Sequence, residues 1–153
     1  MNITFGKHKG KSIGSLVLKE PDYVSWLLSN ADCGAAMLAA IKEASRLIAI
    51  YNDKPFQKPC HGKNCSSQAT RCSVYMSAVS TPMWWCDTCN PYRAGASEGQ
   101  LQSIRTYQDA LVHISLHCNR RKRSYRTLIK KLAKAKGLPD RVTEKQVSGF
   151  FET

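Results

Sequence analysis

Cys60-His61-Gly62-Lys63-Asn64-Cys65 and Cys86-Asp87-Thr88-Cys89 are the two stretches that decide how this chain folds. Four residues separate the first pair of cysteines, two separate the second, and twenty lie between the pairs. This Cys-x4-Cys…Cys-x2-Cys spacing is that of a zinc ribbon, in which two tight knuckles close a tetrahedral four-sulfur site around one ion. Between them, residues 68–75 and 82–85 read as two β-prone runs around a turn, and such a hairpin brings the knuckles together. The expectation is one Zn2+ held by Cys60, Cys65, Cys86 and Cys89. A closed four-cysteine site keeps no open coordination position, so this ion would be structural. His61, beside Cys60, and Cys72 are alternative ligands. Cys72 reads better as a small apolar residue on the first strand of the hairpin. Cys33 and Cys118 fall in predicted helices and read as core.

Working outward, the 153 residues suffice for one ordinary domain or two small ones, and 42% apolar content permits a packed core. The net charge is +12, which favours a polyanionic partner: DNA, RNA or an acidic protein. The sequence contains no apolar run of about 18 residues, so no membrane partner is expected. The first twenty residues carry Lys7, Lys9, Lys11 and Lys19 without an apolar segment, so no signal peptide is read there. The expected compartment is the cytoplasm (the host's, if the chain is phage-encoded). Thiols stay reduced there, and an odd count of seven cysteines also argues against a closed disulfide framework.

The predicted class is α+β: an N-terminal β-hairpin plus helix, a four-cysteine zinc ribbon, and a helical C-terminal part. Residues 1–51 form the hairpin-helix module with a second helix, 60–92 the ribbon and 97–153 a basic helical region, expected to pack as one unit. Residues 2–13 read as the hairpin, with Ile3-Thr4-Phe5 and Lys11-Ser12-Ile13 as strands and Gly6 and Gly10 in the turn. A helix starts at Pro21, and spacing puts Tyr23, Trp26 and Leu27 on one face. A second helix over 33–51 carries Met37, Ile41, Ala44, Ile48 and Tyr51 in a stripe. The prolines of 52–59 mark a linker. Beyond the ribbon, Ser97-Glu98-Gly99-Gln100 has a capping-box pattern that predicts a long helix to about 118, with Ile104, Tyr107, Leu111, Ile114 and Cys118 on one face. A basic helix follows over 120–136. Thr143-Glu144-Lys145-Gln146 caps a short last helix carrying Val147, Phe150 and Phe151.

Phe5-Gly6-Lys7-His8-Lys9-Gly10-Lys11 followed by Pro21, Tyr23, Trp26 and Leu27 resembles the C-terminal domain of exodeoxyribonuclease X-like proteins. The pattern is shared with a bacterial and phage family labelled quorum-sensing-regulated virulence factors. It covers roughly residues 3–28. In the exonucleases this module accompanies a separate catalytic domain, whose acidic metal-binding motifs are not evident here. The resemblance therefore implies an accessory, nucleic-acid-holding module and carries over no nuclease activity. The residues themselves allow two readings of Lys7, Lys9 and Lys11. They could grip phosphate beside backbone opened by glycine, or they could form a tight solvated turn.

The second signal is charge. From Cys118 to Lys136 the chain places nine basic residues with no acidic one: Arg120, Arg121, Lys122, Arg123, Arg126, Lys130, Lys131, Lys134 and Lys136. Tyr125, Leu128, Ile129 and Leu132 form an apolar stripe, so the helix docks and turns its charge outward. An ordinary solvated face would mix signs in i, i+4 pairs. Positive charge at a helix start also opposes the helix dipole, which suits a cluster kept for a partner. Phosphate contacts are expected from Lys7, Lys9, Lys11, Arg120, Arg121, Lys122, Arg123, Arg126, Lys130 and Lys134.

His113 and His117 are at metal-binding i, i+4 spacing, but no third ligand is evident, and they read as two surface histidines. Trp84 and Trp85 are consecutive, so one faces inward and one outward. The carboxylates are scattered and form no catalytic cluster, and no Walker loop, Gly-x-Ser-x-Gly or His-Glu-x-x-His occurs. The expected function is a zinc-stabilised nucleic-acid-binding accessory protein of bacterial or phage DNA metabolism or transcription control, with DNA favoured over RNA. The alternatives are a phage-type inhibitor that binds an acidic host protein surface, and a nuclease whose site is distributed.

Overall fold

Gly6 and Gly10 turn the N-terminal segment back on itself, with φ angles of 69° and 90° in the left-handed region that glycine adopts without steric penalty. The computed structural model describes residues 1–30, 34–75, 78–90 and 101–152. In it, Ile3 donates to the Lys11 carbonyl at 2.9 Å and accepts from the Gly10 N–H at 2.8 Å. The expected hairpin ends there, at a single bridge between Asn2 and Ser12. Ser12 and Ile13 do not continue a strand. Ser12 Oγ accepts from the Ser15 N–H at 3.1 Å and caps α1 (Ile13–Lys19). The reason is burial: every residue from Ile13 to Leu18 is buried, with four other helices packed around them, whereas a two-sided strand would alternate.

Pro21 opens α2 (Pro21–Leu28) at a position where its missing N–H leaves no helical hydrogen bond unmade. Tyr23, Val24 and Leu27 are buried, but Trp26 is not: it remains 50% exposed. α3 (Ala35–Asp53) buries Ala40, Ala44, Leu47, Ile48 and Tyr51 at helical spacing. Cys33 lies outside the described residues.

The ribbon hairpin consists of β1 (Arg71–Tyr75) and β2 (Ala78–Trp85), antiparallel, with Cys72 opposite Trp84 and Ser73 opposite Met83. Tyr75 then pairs with Ala78, so Val74 alone faces residues 79–82 in an irregular stretch that contains Pro82. A third strand was not expected. β3 (Leu101–Ile104) pairs antiparallel with the other edge of β1, giving the order β2-β1-β3. The long helix expected from 97 is therefore shorter, and Ser97–Gln100 and Tyr92 lie outside the described residues. α4 (Tyr107–His117) starts at a capping box further along: Thr106 Oγ1 accepts from the Asp109 N–H at 3.0 Å, and Asp109 accepts from the Thr106 N–H at 3.1 Å. Ile104 meets the core from a strand and Tyr107, Leu111, Ile114 and Cys118 from the helix and its cap, which is why one apolar pattern could pass for a single helix.

α5 (Lys122–Ala135) is the basic helix, and it packs on α1, α2, α4 and β2. Leu128, Ile129 and Leu132 are fully buried, worth roughly 2 kcal/mol each in area removed from water. α6 (Glu144–Glu152) begins at the expected cap, where the Thr143 N–H donates to Gln146 Oε1 at 2.7 Å. At the centre, Tyr51 and Tyr107 meet edge to face with centroids 5.2 Å apart. Their hydroxyls donate to the carbonyls of Ile129 (2.9 Å) and Val17 (2.7 Å), so the buried polar tips are satisfied. One buried apolar cluster contains Ile3, Tyr51, Trp84, Leu132 and Phe150, joining the N-terminal module, the ribbon and the C-terminal helices. Among the described residues, no helix is long and apolar enough to cross a membrane.

Candidate metal centre and basic surface

The sulfurs of Cys60, Cys65, Cys86 and Cys89 lie within 4.8 Å of one another and form a candidate metal site. A tetrahedral ion with metal–sulfur bonds of about 2.3 Å needs sulfurs about 3.8 Å apart. Cys65 and Cys86 meet that spacing at 3.8 Å. Backbone N–H groups point at the sulfurs as a thiolate site requires. Gly62 and Cys86 donate to Cys60 Sγ, each at 3.3 Å, and Cys89 donates to Cys86 Sγ at 3.4 Å. The first knuckle closes only because position 62 lacks a side chain. A Cβ there would stand 2.5 Å from Cys89 Sγ and 3.3 Å from Cys60 Sγ.

Without an ion the thiols compete for protons. Hydrogen bonding from Ser67 lowers Cys65 to about 7, while hydrogen bonds shared with Cys86, Cys65 and Cys60 raise Cys89 to about 12. Among the described residues, two further cysteines stand apart. Cys72 is fully buried on β1, where burial raises its thiol to about 12, and Cys118 is buried at the end of α4. His61 is no ligand. Its Nδ1 accepts from the Trp84 N–H at 3.2 Å and its own N–H donates to the Trp84 carbonyl at 2.8 Å, which clamps the knuckle to β2. Trp84 turns inward onto Phe56 with centroids 5.0 Å apart, and Trp85 turns the other way, donating from Nε1 to Ser73 Oγ at 2.8 Å.

The basic residues fall into two groups. Lys7, Lys9 and Lys11 are exposed on the Gly6–Gly10 turn, with Lys11 Nζ 3.1 Å from His8 Nδ1. Arg120 and Arg121 precede α5 in a sharp reversal, where Asn119 and Arg120 have φ of 53° and 54°. That conformation is tolerable for Asn and costs Arg of order 1 kcal/mol. Arg121, Lys122, Arg123, Lys130 and Lys131 are exposed.

The sequence separation of acid and base does not survive folding. Arg126 pairs with Glu20 and lies 3.8 Å from Asp22, and Lys134 pairs with Asp140. Burial pushes Glu20 upward, but the Arg126 hydrogen bond and charge, with Lys122 and His8 adding, hold its carboxyl below the ordinary range. His8 is lowered by burial and then by Lys11 and Lys7, against Glu20 and Asp22. The ion pairs of Arg126 with Glu20 and Asp22, and the packing of the His8 ring 4.5 Å from that of Tyr23, bring α5 and the lysine turn to one feature, the N-terminal end of α2. Glu20 and Asp22 were the signal for this convergence: two carboxylates at a helix start, a hundred residues from the only dense basic run. A separate groove of about 310 Å³ is lined by Lys19, Arg126, Lys130 and Asp140 among others.

Lys136 leaves the basic surface altogether. It is 6% exposed, and its Nζ donates to the carbonyls of Tyr51 (2.7 Å) and Lys54 (2.8 Å) between the rings of Tyr51 and Phe56. Burial lowers its pKa to about 8. His113 is also no surface residue. It is 3% exposed on α4, neither ring nitrogen has a hydrogen-bond partner among the described residues, and burial, then His117, lowers it to about 4.

No protein-family model matches this chain, and comparison with curated proteins and with solved structures finds no match either.

Proposed function

We propose that this protein is a nucleic-acid-binding accessory protein, stabilised by one structural zinc ion and acting in DNA metabolism or transcription control. The observation that carries the reading is that two basic segments far apart in sequence meet at the start of α2: Lys7 of the glycine turn lines one notch with Asp22, and Arg126 of α5 pairs with Glu20 and lies 3.8 Å from Asp22. Phosphates would run along the exposed cations of the turn, of Arg120–Arg123 and of Lys130. Arg126 would serve as an anchor already oriented by its carboxylates. The N-terminal resemblance supports DNA over RNA.

Four sulfur donors with hydrogen-bonded thiolates in a reduced compartment suit zinc over harder ions. When bound, the ion fixes the two knuckles. The chain's own residues do the rest: β2 packs against α5, and in the linker before the ribbon the Gln57 N–H donates to the Ala135 carbonyl at 2.6 Å, so ribbon and linker together brace the basic helix.

The test is fluorescence anisotropy of zinc-loaded protein with duplex DNA, single-stranded DNA and RNA across a salt series. Binding that weakens steeply with salt is expected. Absence of binding to all three at low salt rejects the reading and favours an acidic protein partner.

A further inference from the structure

Trp26 is an outlier for a residue in the middle of an amphipathic helix: its neighbours Val24 and Leu27 are buried, while it stands 50% exposed. It is not loose. Its ring lies 5.5 Å from that of Tyr23 at 35°, and Tyr23 is fixed in turn by the buried His8, edge-on at 4.5 Å. The Gly6–Gly10 turn arches opposite. Together Phe5, Gly6, Lys7, Asp22, Tyr23 and Trp26 enclose a notch of about 500 Å³, within the size range of pockets that take an organic ring system.

We infer that this notch holds one unpaired nucleobase stacked on Trp26, so that the protein prefers single-stranded segments or frayed ends to uninterrupted duplex. The inference rests on the nucleic-acid reading above. Charge orders the notch. Asp22, which lies 3.8 Å from Arg126, lines the notch together with the two aromatic rings and disfavours a phosphate there, while Lys7, also in the lining, and the exposed Lys9 and Lys11 of the same turn attract phosphates alongside it. A base inward and a backbone outward satisfy both. Stacking on an aromatic face is tolerant of base identity, and bases inside a duplex cannot offer their faces. Gly6 suits the rim, since its positive φ forms the turn and no heavy atom lies within 4 Å of where a Cβ would be.

The experiment compares full-length, metal-loaded wild type, Trp26→Ala and Trp26→Phe on a labelled single-stranded oligonucleotide and on a blunt duplex of equal length. Trp26→Ala is expected to lose about tenfold or more on the single strand and under twofold on the duplex, with Trp26→Phe retaining most of the affinity. Equal losses on both substrates, or none on either, overturn the inference. Unchanged nucleic-acid binding would assign the notch to another ligand, such as a proline-rich peptide. A second measurement needs no variant: wild type should bind a duplex with an unpaired overhang at least fivefold more tightly than the blunt duplex, and equal affinities overturn the inference. Failure of wild type to bind any nucleic acid would instead remove the parent proposal.

Discussion

Lys136, at the end of α5, reaches the end of α3 and donates its Nζ to the Tyr51 carbonyl at 2.7 Å. It adds a charged donor at the C-terminal end of α3, where the Tyr51 carbonyl also accepts from the Lys54 N–H at 3.3 Å. A cation counted in sequence among the nine of the basic run is thus a structural tie between two helices. Replacing it with Met keeps most of the stem and removes the donor. Lys136→Met is expected to lower stability by about 1–3 kcal/mol, through the loss of two hydrogen bonds from a charged donor, and to leave nucleic-acid affinity unchanged. Chemical denaturation and anisotropy on one preparation check both halves.

Arg121 and Arg123 make the opposite case. Both are exposed, and each replaced by Ala should cost stability little. If they meet phosphates, each change should weaken binding severalfold on every sequence and reduce the magnitude of the salt slope by about one. A slope equal to that of wild type in both variants would remove them from the interface.

Metal removal should be felt locally first. Strong chelation is expected to open the two knuckles, release Trp84 from Phe56 and shift tryptophan emission to the red. Zinc should restore the signal with one equivalent. Unchanged emission after complete metal removal would contradict a fold-supporting ion.

Gly62→Ala tests the knuckle without touching a ligand. Its Cβ would stand 2.5 Å from Cys89 Sγ, a separation that real atoms do not adopt, so Cys89 must shift. The expected result is zinc affinity reduced by tenfold or more with all four cysteines present, read by competition with a chromophoric chelator.

His113 gives a pH dependence of known sign. Its folded pKa of about 4 lies below the ordinary 6.5, so the unfolded chain takes up the proton first. The stability this group contributes is complete above about pH 6.5 and is lost as pH falls toward 4, by of the order of 3 kcal/mol. His8, also lowered, acts in the same direction. His113→Leu should flatten the difference in melting temperature between pH 7 and pH 4.5 relative to wild type, and an unchanged difference would show that His113 does not titrate in this range.

The cysteine spacing made the metal site legible because its constraint is local: a knuckle is a turn of a few residues, and the hairpin between the knuckles aligns them. The basic helix was legible in its apolar stripe for the same reason. Ser12 and Ile13 were misread because a Lys-Ser-Ile run suits a strand locally, and only the surrounding helices favour a buried α1. β3 was hidden because its partner, β1, lies about thirty residues upstream and no local signal reports that pairing. Arg126, Lys134 and Lys136 looked alike in sequence. Their different fates depend on Glu20, Asp140 and the carbonyls of Tyr51 and Lys54, which only tertiary structure brings near.

The strand order β2-β1-β3 leaves β2 at an edge, and Pro82 sits there in the irregular stretch opposite Val74. An edge strand is a template for pairing with another chain, and proline and bulges are what blunt it. A ribbon that has lost its ion would therefore loosen without offering β2 as a straight, fully bonding edge for strand-by-strand aggregation. Demetallation of this protein should be a recoverable event, reversed by returning metal, and should not lead to fibrils built on β2.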